Sequence, residues 1–154
     1  MSRIFLRAFF SFALLATLVL TAQTRPDFSG KWTDVQTVDG KQVIEETLVV
    51  TQDAQGLSYI SYSRNGREGE RLAFLFNGTP KSQPRQMDGE ATSTASWEGS
   101  TLVVATTIRR RGQRDVASQR RWSIDGAKQL VIETSSKAEG AAAVSTRTVY
   151  RRQQ

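Results

Sequence analysis

Glu46 interrupts an apolar row formed by Ile44, Leu48 and Val50, and Arg120 shares a strand face with Trp122 and Ile124. A charge turned into a protein interior is costly when unpaired and informative when paired. An inward Arg120 could hold a ligand carboxylate bidentately. A β-bulge would instead shift the register and turn both residues outward. Glu133 alternates against Leu130 and Ile132, which places it in solvent. The neighbours Glu45 and Glu46 point to opposite faces of a strand and cannot act as a pair on one substrate.

The densest charge is Arg109-Arg110-Arg111-Gly112-Gln113-Arg114, with Arg120-Arg121 on the returning strand. On a hairpin these arginines gather at one tip and its flanks. There Arg109, Arg110, Arg111 and Arg114 could grip an anionic envelope component or an acidic partner. The plainer expectation is a solubilising tip that discourages edge pairing. Nucleic-acid binding calls for interleaved exposed aromatics, which the tip lacks, so no nucleic-acid partner is expected.

The chain has no cysteine and no histidine. Thiolate catalysis, Ser-His triads and ordinary zinc sites are thereby excluded, along with the common general base near neutral pH. There is no phosphate-cradling glycine loop or calcium loop. Serine and threonine hydroxyls have no evident activator. The expectation is a protein that is not an enzyme, with no catalytic residues, no metal and no cofactor.

What must position these side chains is a series of strands. Turn signals recur at Asp39-Gly40, Asp53 to Gly56, Asn65-Gly66, Asn77-Gly78, Asp88-Gly89, Glu98-Gly99, Gly112, Asp125-Gly126 and Glu139-Gly140. Between them run segments rich in Val, Ile, Thr, Tyr and Trp with period-two rows, such as Leu72, Phe74 and Phe76. Eight or nine strands follow, at about 28–38, 42–51, 57–64, 69–76, 91–98, 101–110, 116–124, 128–136 and 142–152. An all-β antiparallel up-and-down meander of this length can close into a lipocalin-like barrel without exposed edges. An open two-sheet sandwich is the competing layout. The stretch from Gly78 to Gly89, with Pro80 and Pro84, reads as a plain crossover or a lid over the barrel mouth.

Inside such a barrel, Trp97, Trp122, Tyr59, Tyr62 and Phe74, with Arg120, could line a pocket for a small apolar or amphipathic ligand. The same rings could simply fill a narrow barrel.

The N-terminus has the order of a signal peptide. Arg3 and Arg7 precede a 13-residue apolar run, Ala8 to Leu20, and Thr21, Ala22 and Gln23 follow. The run is too short to span a bilayer unaided. Cleavage after Ala22 leaves residues 23–154 as one barrel domain and lowers the net charge from +6 to +4. The mature chain is then periplasmic or secreted, with no stable membrane span. An uncleaved anchor is the alternative.

Gly30-Lys31-Trp32, a following meander, and Arg151 or Arg152 after Tyr150 resemble the lipocalin-like (calycin) superfamily. The resemblance implies that Trp32 closes the barrel floor and that Arg151 or Arg152 packs over its ring, a cation–π contact of about 0.5–2 kcal/mol. The wider opening, Pro26-Asp27-Phe28-Ser29-Gly30-x-Trp32, resembles that of small exported bacterial proteins of unknown role. Those proteins also share features similar to Trp97-Glu98-Gly99, Ser123-Ile124-Asp125-Gly126 and Val149-Tyr150-Arg151-Arg152. A fainter likeness is to avidins, through Gly30-Lys31-Trp32-Thr33. Asp34 stands where an avidin-like site wants an asparagine.

Overall fold

The computed structural model of the chain describes residues 24–38, 41–85 and 89–153, with backbone alone at 35–38 and 41–42. The leader expected at 1–22 and the turn residues Asp39, Gly40 and Asp88 lie outside the described residues. Ten strands follow in order: β1 (Gly30–Val38), β2 (Lys41–Gln52), β3 (Gly56–Ser63), β4 (Glu68–Leu75), β5 (Lys81–Arg85), β6 (Gly89–Glu98), β7 (Thr101–Arg110), β8 (Val116–Ile124), β9 (Leu130–Ala138) and β10 (Val144–Arg152). They form one antiparallel sheet, ordered β4-β3-β2-β1-β10-β9-β8-β7-β6-β5. Its two ends come together, so the meander is a nearly closed barrel rather than a two-sheet sandwich. No helix occurs among the described residues.

Two expectations need correction. The strand count is ten, not eight or nine, because the Gly78–Gly89 stretch contains β5. Proline argues against an interior strand, but β5 is an edge strand laddered only to β6, where Pro84 is tolerated. The first strand also begins at Gly30, not at Phe28. Gly30 has φ near +130°, a conformation that side-chain-bearing residues rarely adopt. That bend turns Phe28 under the barrel, where it is fully buried. Its ring stacks on Trp97 with centroids 5.8 Å apart and meets Trp122 edge-on at 5.9 Å. The Trp32 indole donates to the Phe28 carbonyl at 2.8 Å. The residues before β1 thus plug one end of the barrel.

The first and last strands are neighbours, with Trp32 opposite Arg152 and Asp34 opposite Tyr150. The seam of the barrel lies elsewhere, between β4 and β5, where no backbone ladder forms. The Gln83 side-chain amide bridges it. Its oxygen accepts from the Ala73 N–H at 2.9 Å, and its NH₂ donates to the Ala73 carbonyl at 2.7 Å. One side chain stands in for the peptide unit that β5 does not supply.

The core follows the alternation. Leu48, Val50, Leu57, Tyr59, Leu72, Phe74, Leu102, Val104, Trp122 and Leu130 are all buried on the inner face. Ser93 and Thr106, also buried and paired across β6 and β7, satisfy each other at 2.9 Å.

Candidate functional site

Above the apolar layer of Leu48, Trp122 and Ile132, the barrel interior is not filled. A cavity of about 200 Å³ lies there, lined otherwise by Glu46, Tyr59, Glu70, Arg120, Thr134, Thr148 and Tyr150. Drug-sized ligands occupy roughly 300–1,000 Å³, whereas an apolar cavity of about 150 Å³ takes up benzene. The space therefore suits a molecule built on a single ring. Most of its lining residues carry hydrogen-bonding or charged groups, above a floor that is apolar.

Both carboxylates that reach this cavity lie beside bulges. On β2, Asp34 pairs with Glu46 and Val35 with Ile44, so Glu45 is the extra residue. The break in the row therefore falls at Ile44, which is exposed, while Glu46 stays in phase with Leu48 and Val50 and points inward. This corrects the outward reading of Glu46: the bulge exists, but it displaces Ile44. On β4, the register with β3 slips between Ile60 and Tyr62, opposite Gly69 and Glu70. Ser61 caps the irregularity, its hydroxyl accepting from the Glu70 N–H at 2.9 Å. A Cβ at position 69 would come within 2.7 Å of that same hydroxyl oxygen, so glycine makes the close approach feasible. Bulges of this kind re-aim side chains toward functional sites.

Arg120 also points inward, and the carboxylate it holds is the protein's own. Its guanidinium meets one oxygen of Glu70 at 2.6 Å, and Arg85 meets the other at 2.6 Å. The Tyr59 hydroxyl bonds to both Glu70 and Arg120. Burial alone would push the Glu70 carboxyl up, but the charge of Arg120, hydrogen bonds from Arg120 and Tyr59, and the charge of Arg85 hold it below the usual carboxylate range. Burial works against the charge on Arg120, yet the Tyr59 oxygen and Glu70 outweigh it and the guanidinium is held more firmly protonated than usual. Burial raises the Tyr59 phenol. Nearby, the Tyr150 hydroxyl donates to Glu46 at 2.6 Å. Its phenol is pushed up by burial, then by the bond to Glu46 and by the charges of Glu46 and Asp34.

Of the residues expected to bind a ligand, Arg120, Trp122 and Tyr59 meet at this cavity. Phe74 packs beneath, against Trp122 and Tyr59, and does not line it. Trp97 belongs to the plugged end, between Phe28 and Phe76 and under the Arg25 guanidinium at 5.4 Å. Tyr62 alternates to the other face of β3 from buried Tyr59 and Ser61, away from the cavity. The indole N–H groups of Trp97 and Trp122 are buried without a hydrogen-bond partner among the described residues.

At the barrel floor, Arg152 rather than Arg151 covers Trp32, with its guanidinium carbon 5.3 Å from the ring centroid. Arg152 also donates to the Ser29 carbonyl. Arg151 is exposed and contributes its backbone carbonyl to the Thr33 hydroxyl at 3.4 Å. The arginine tip is more dispersed than its sequence suggests. Arg109 pairs with Asp115 at 3.3 Å, and Arg114 donates to the Glu139 carbonyl at 3.1 Å. Arg110 lines an outer hollow beside Arg67 and Arg85, while Arg111 is exposed. Arg120 enters the barrel, and Arg121 pairs with Glu98 at 2.9 Å, near the opposite end of β7.

Glu70 and Gln83 escaped the sequence reading. The row Leu72, Phe74, Phe76, extended two residues back, reaches Glu70. Nothing in the sequence marks Gln83, whose role depends on where the seam falls. Among the described residues, no group of three or more acidic, histidine or cysteine side chains could hold a metal ion, and no helix is long and apolar enough to cross a membrane. Compared with known proteins, the chain matches no protein-family model and no curated sequence.

Proposed function

We propose that this protein is an exported, lipocalin-like carrier or sensor that binds a small amphipathic molecule inside its barrel and does no chemistry on it. The observation that carries this reading is the cavity of about 200 Å³, with an apolar floor beneath carboxylate, guanidinium, phenol and hydroxyl groups. An entirely apolar ligand would strand those polar groups. An amphipathic one would place its ring on Leu48, Trp122 and Ile132 and its polar end among them.

The protonation states favour binding over catalysis. Glu70 is held ionised, Arg120 protonated, and Tyr59 and Tyr150 neutral. A general acid or base works best with a pKa near the operating pH, and these four groups are driven away from it. Export rests on Arg3, Arg7 and the apolar run to Leu20. The lipocalin-like assignment rests on the meander and on Arg152 over Trp32.

Native mass spectrometry of protein purified from its own source should show a co-purifying small molecule. A panel of single-ring amphipaths should raise the melting temperature of the ligand-free protein. Replacing Thr134 with Trp, which fills the cavity, should abolish both effects. A wild-type protein that is empty and indifferent to the whole panel would defeat the reading.

A further inference from the structure

The polar groups of the cavity are not equally satisfied. Arg120, Glu70 and Arg85 form a closed set, with both Glu70 oxygens taken at 2.6 Å. On the β2–β10 side, Glu46 is different. Among the described residues its side chain has one partner, the Tyr150 hydroxyl, and no lysine or arginine lies within ion-pair distance. A carboxylate offers about four acceptor positions, so most of its capacity is unused. The charges of Glu46 and of Asp34, which lies opposite Glu46 on β1 and opposite Tyr150 on β10, both act on the Tyr150 phenol.

An incoming anion would meet Glu46 and would have to take Arg120 from Glu70. A neutral ligand would cover Glu46 and leave its charge uncompensated away from water. A compact cation avoids both costs. Leu48, Trp122 and Ile132 then offer the apolar wall for whatever carries the charge.

We propose that the cavity is selective for a small monocyclic amine, whose ammonium is bound by Glu46 and whose ring rests on the floor around Trp122. This rests on the ligand-binding reading above and names the ligand class. The Tyr150 hydroxyl orients the Glu46 carboxylate, leaving its other oxygen toward the cavity. Cavity size sets the limit at one ring.

The test compares 2-phenylethylamine, 2-phenylethanol and phenylacetate, which are of similar size and differ in charge, by titration calorimetry on the wild type and on Glu46→Gln. The wild type should bind the amine at least tenfold more tightly than the alcohol, and the acid more weakly than either. Glu46→Gln should lose that tenfold preference, binding the amine more weakly and the alcohol more tightly than the wild type does. Alcohol or acid binding that equals or exceeds amine binding would overturn the amine assignment while leaving the ligand-binding reading standing. So would a Glu46→Gln variant with undiminished amine preference. Failure of all three compounds to bind would overturn the assignment; failure of the whole amphipath panel as well would take the ligand-binding reading with it. Should Glu46→Gln not fold, the wild-type ranking decides.

Discussion

The barrel closes in two places by different means. Where β1 meets β10, backbone hydrogen bonds join the strands, Trp32 is buried beneath, and Arg152 lies over the ring. Where β4 meets β5, a single glutamine amide replaces the ladder, and the charges of Arg85, Glu70 and Arg120 lie beside it. The first junction is covered by Trp32 and Arg152 at the plugged end and reaches the cavity through Tyr150. The second is polar and borders the cavity. Continuous pairing yields a rigid wall, whereas a seam held by side chains can tolerate polar groups and an unfilled interior next to it.

The comparison breaks most readily at Trp32. Trp32→Ala should cost about 3–5 kcal/mol in denaturant unfolding, as a large buried aromatic does. At the polar seam, Glu70→Gln should cost about 3 kcal/mol, the low end for removing one partner of a buried ion pair, because its side chain retains 18% exposure. The same residue gives the seam a pH dependence. Its carboxyl is held below the usual range in the folded state. Its contribution is therefore complete above the unfolded carboxylate value of about 4.3 and is lost as pH falls through the folded value. Thermal melts should show wild-type stability falling more steeply than that of Glu70→Gln between about pH 5 and pH 3. Equal slopes would remove Glu70 from that role.

Gln83→Ala should cost about 2 kcal/mol for its two hydrogen bonds. It should also speed hydrogen exchange at the Ala73 amide while leaving the amides of β1 and β10 unchanged. Uniform acceleration around the barrel would mean that the two seams are not separable. The smallest effect sharpens the picture of the β1–β10 junction. Arg152→Ala should cost about 1 kcal/mol through the lost cation–π contact, and Arg151→Ala less than about 0.5 kcal/mol. The reverse order would place the wrong arginine over Trp32.

Much of the fold is legible before any coordinates. The span 116–124 matches β8, and most other boundaries agree to within about two residues, because turn chemistry and period-two burial are properties of short segments. The turn glycines needed a qualification. At Asp125-Gly126 the positive φ falls on Lys128, while the Asp125 carboxylate accepts from the Ala127 and Gln129 amides at 2.9 and 2.8 Å. Strand β5 was hidden by Pro80 just before it and Pro84 within it. Glu46 was misjudged because a bulge leaves no trace in a hydrophobic row: one extra residue changes which member of the row is out of phase.

By itself, then, the sequence determined an antiparallel meander, the inward face of most strands, and a catalytic inventory without cysteine or histidine. These follow from local backbone geometry and composition. Only the tertiary structure decided where the barrel's seam lies, that Glu70 and Arg120, 50 residues apart, satisfy one another, and that Glu46 faces the cavity with no ion-pair partner among the described residues. Charge pairing across a barrel depends on how the strands are staggered around it. That stagger is set by bulges and closure, which no single segment specifies.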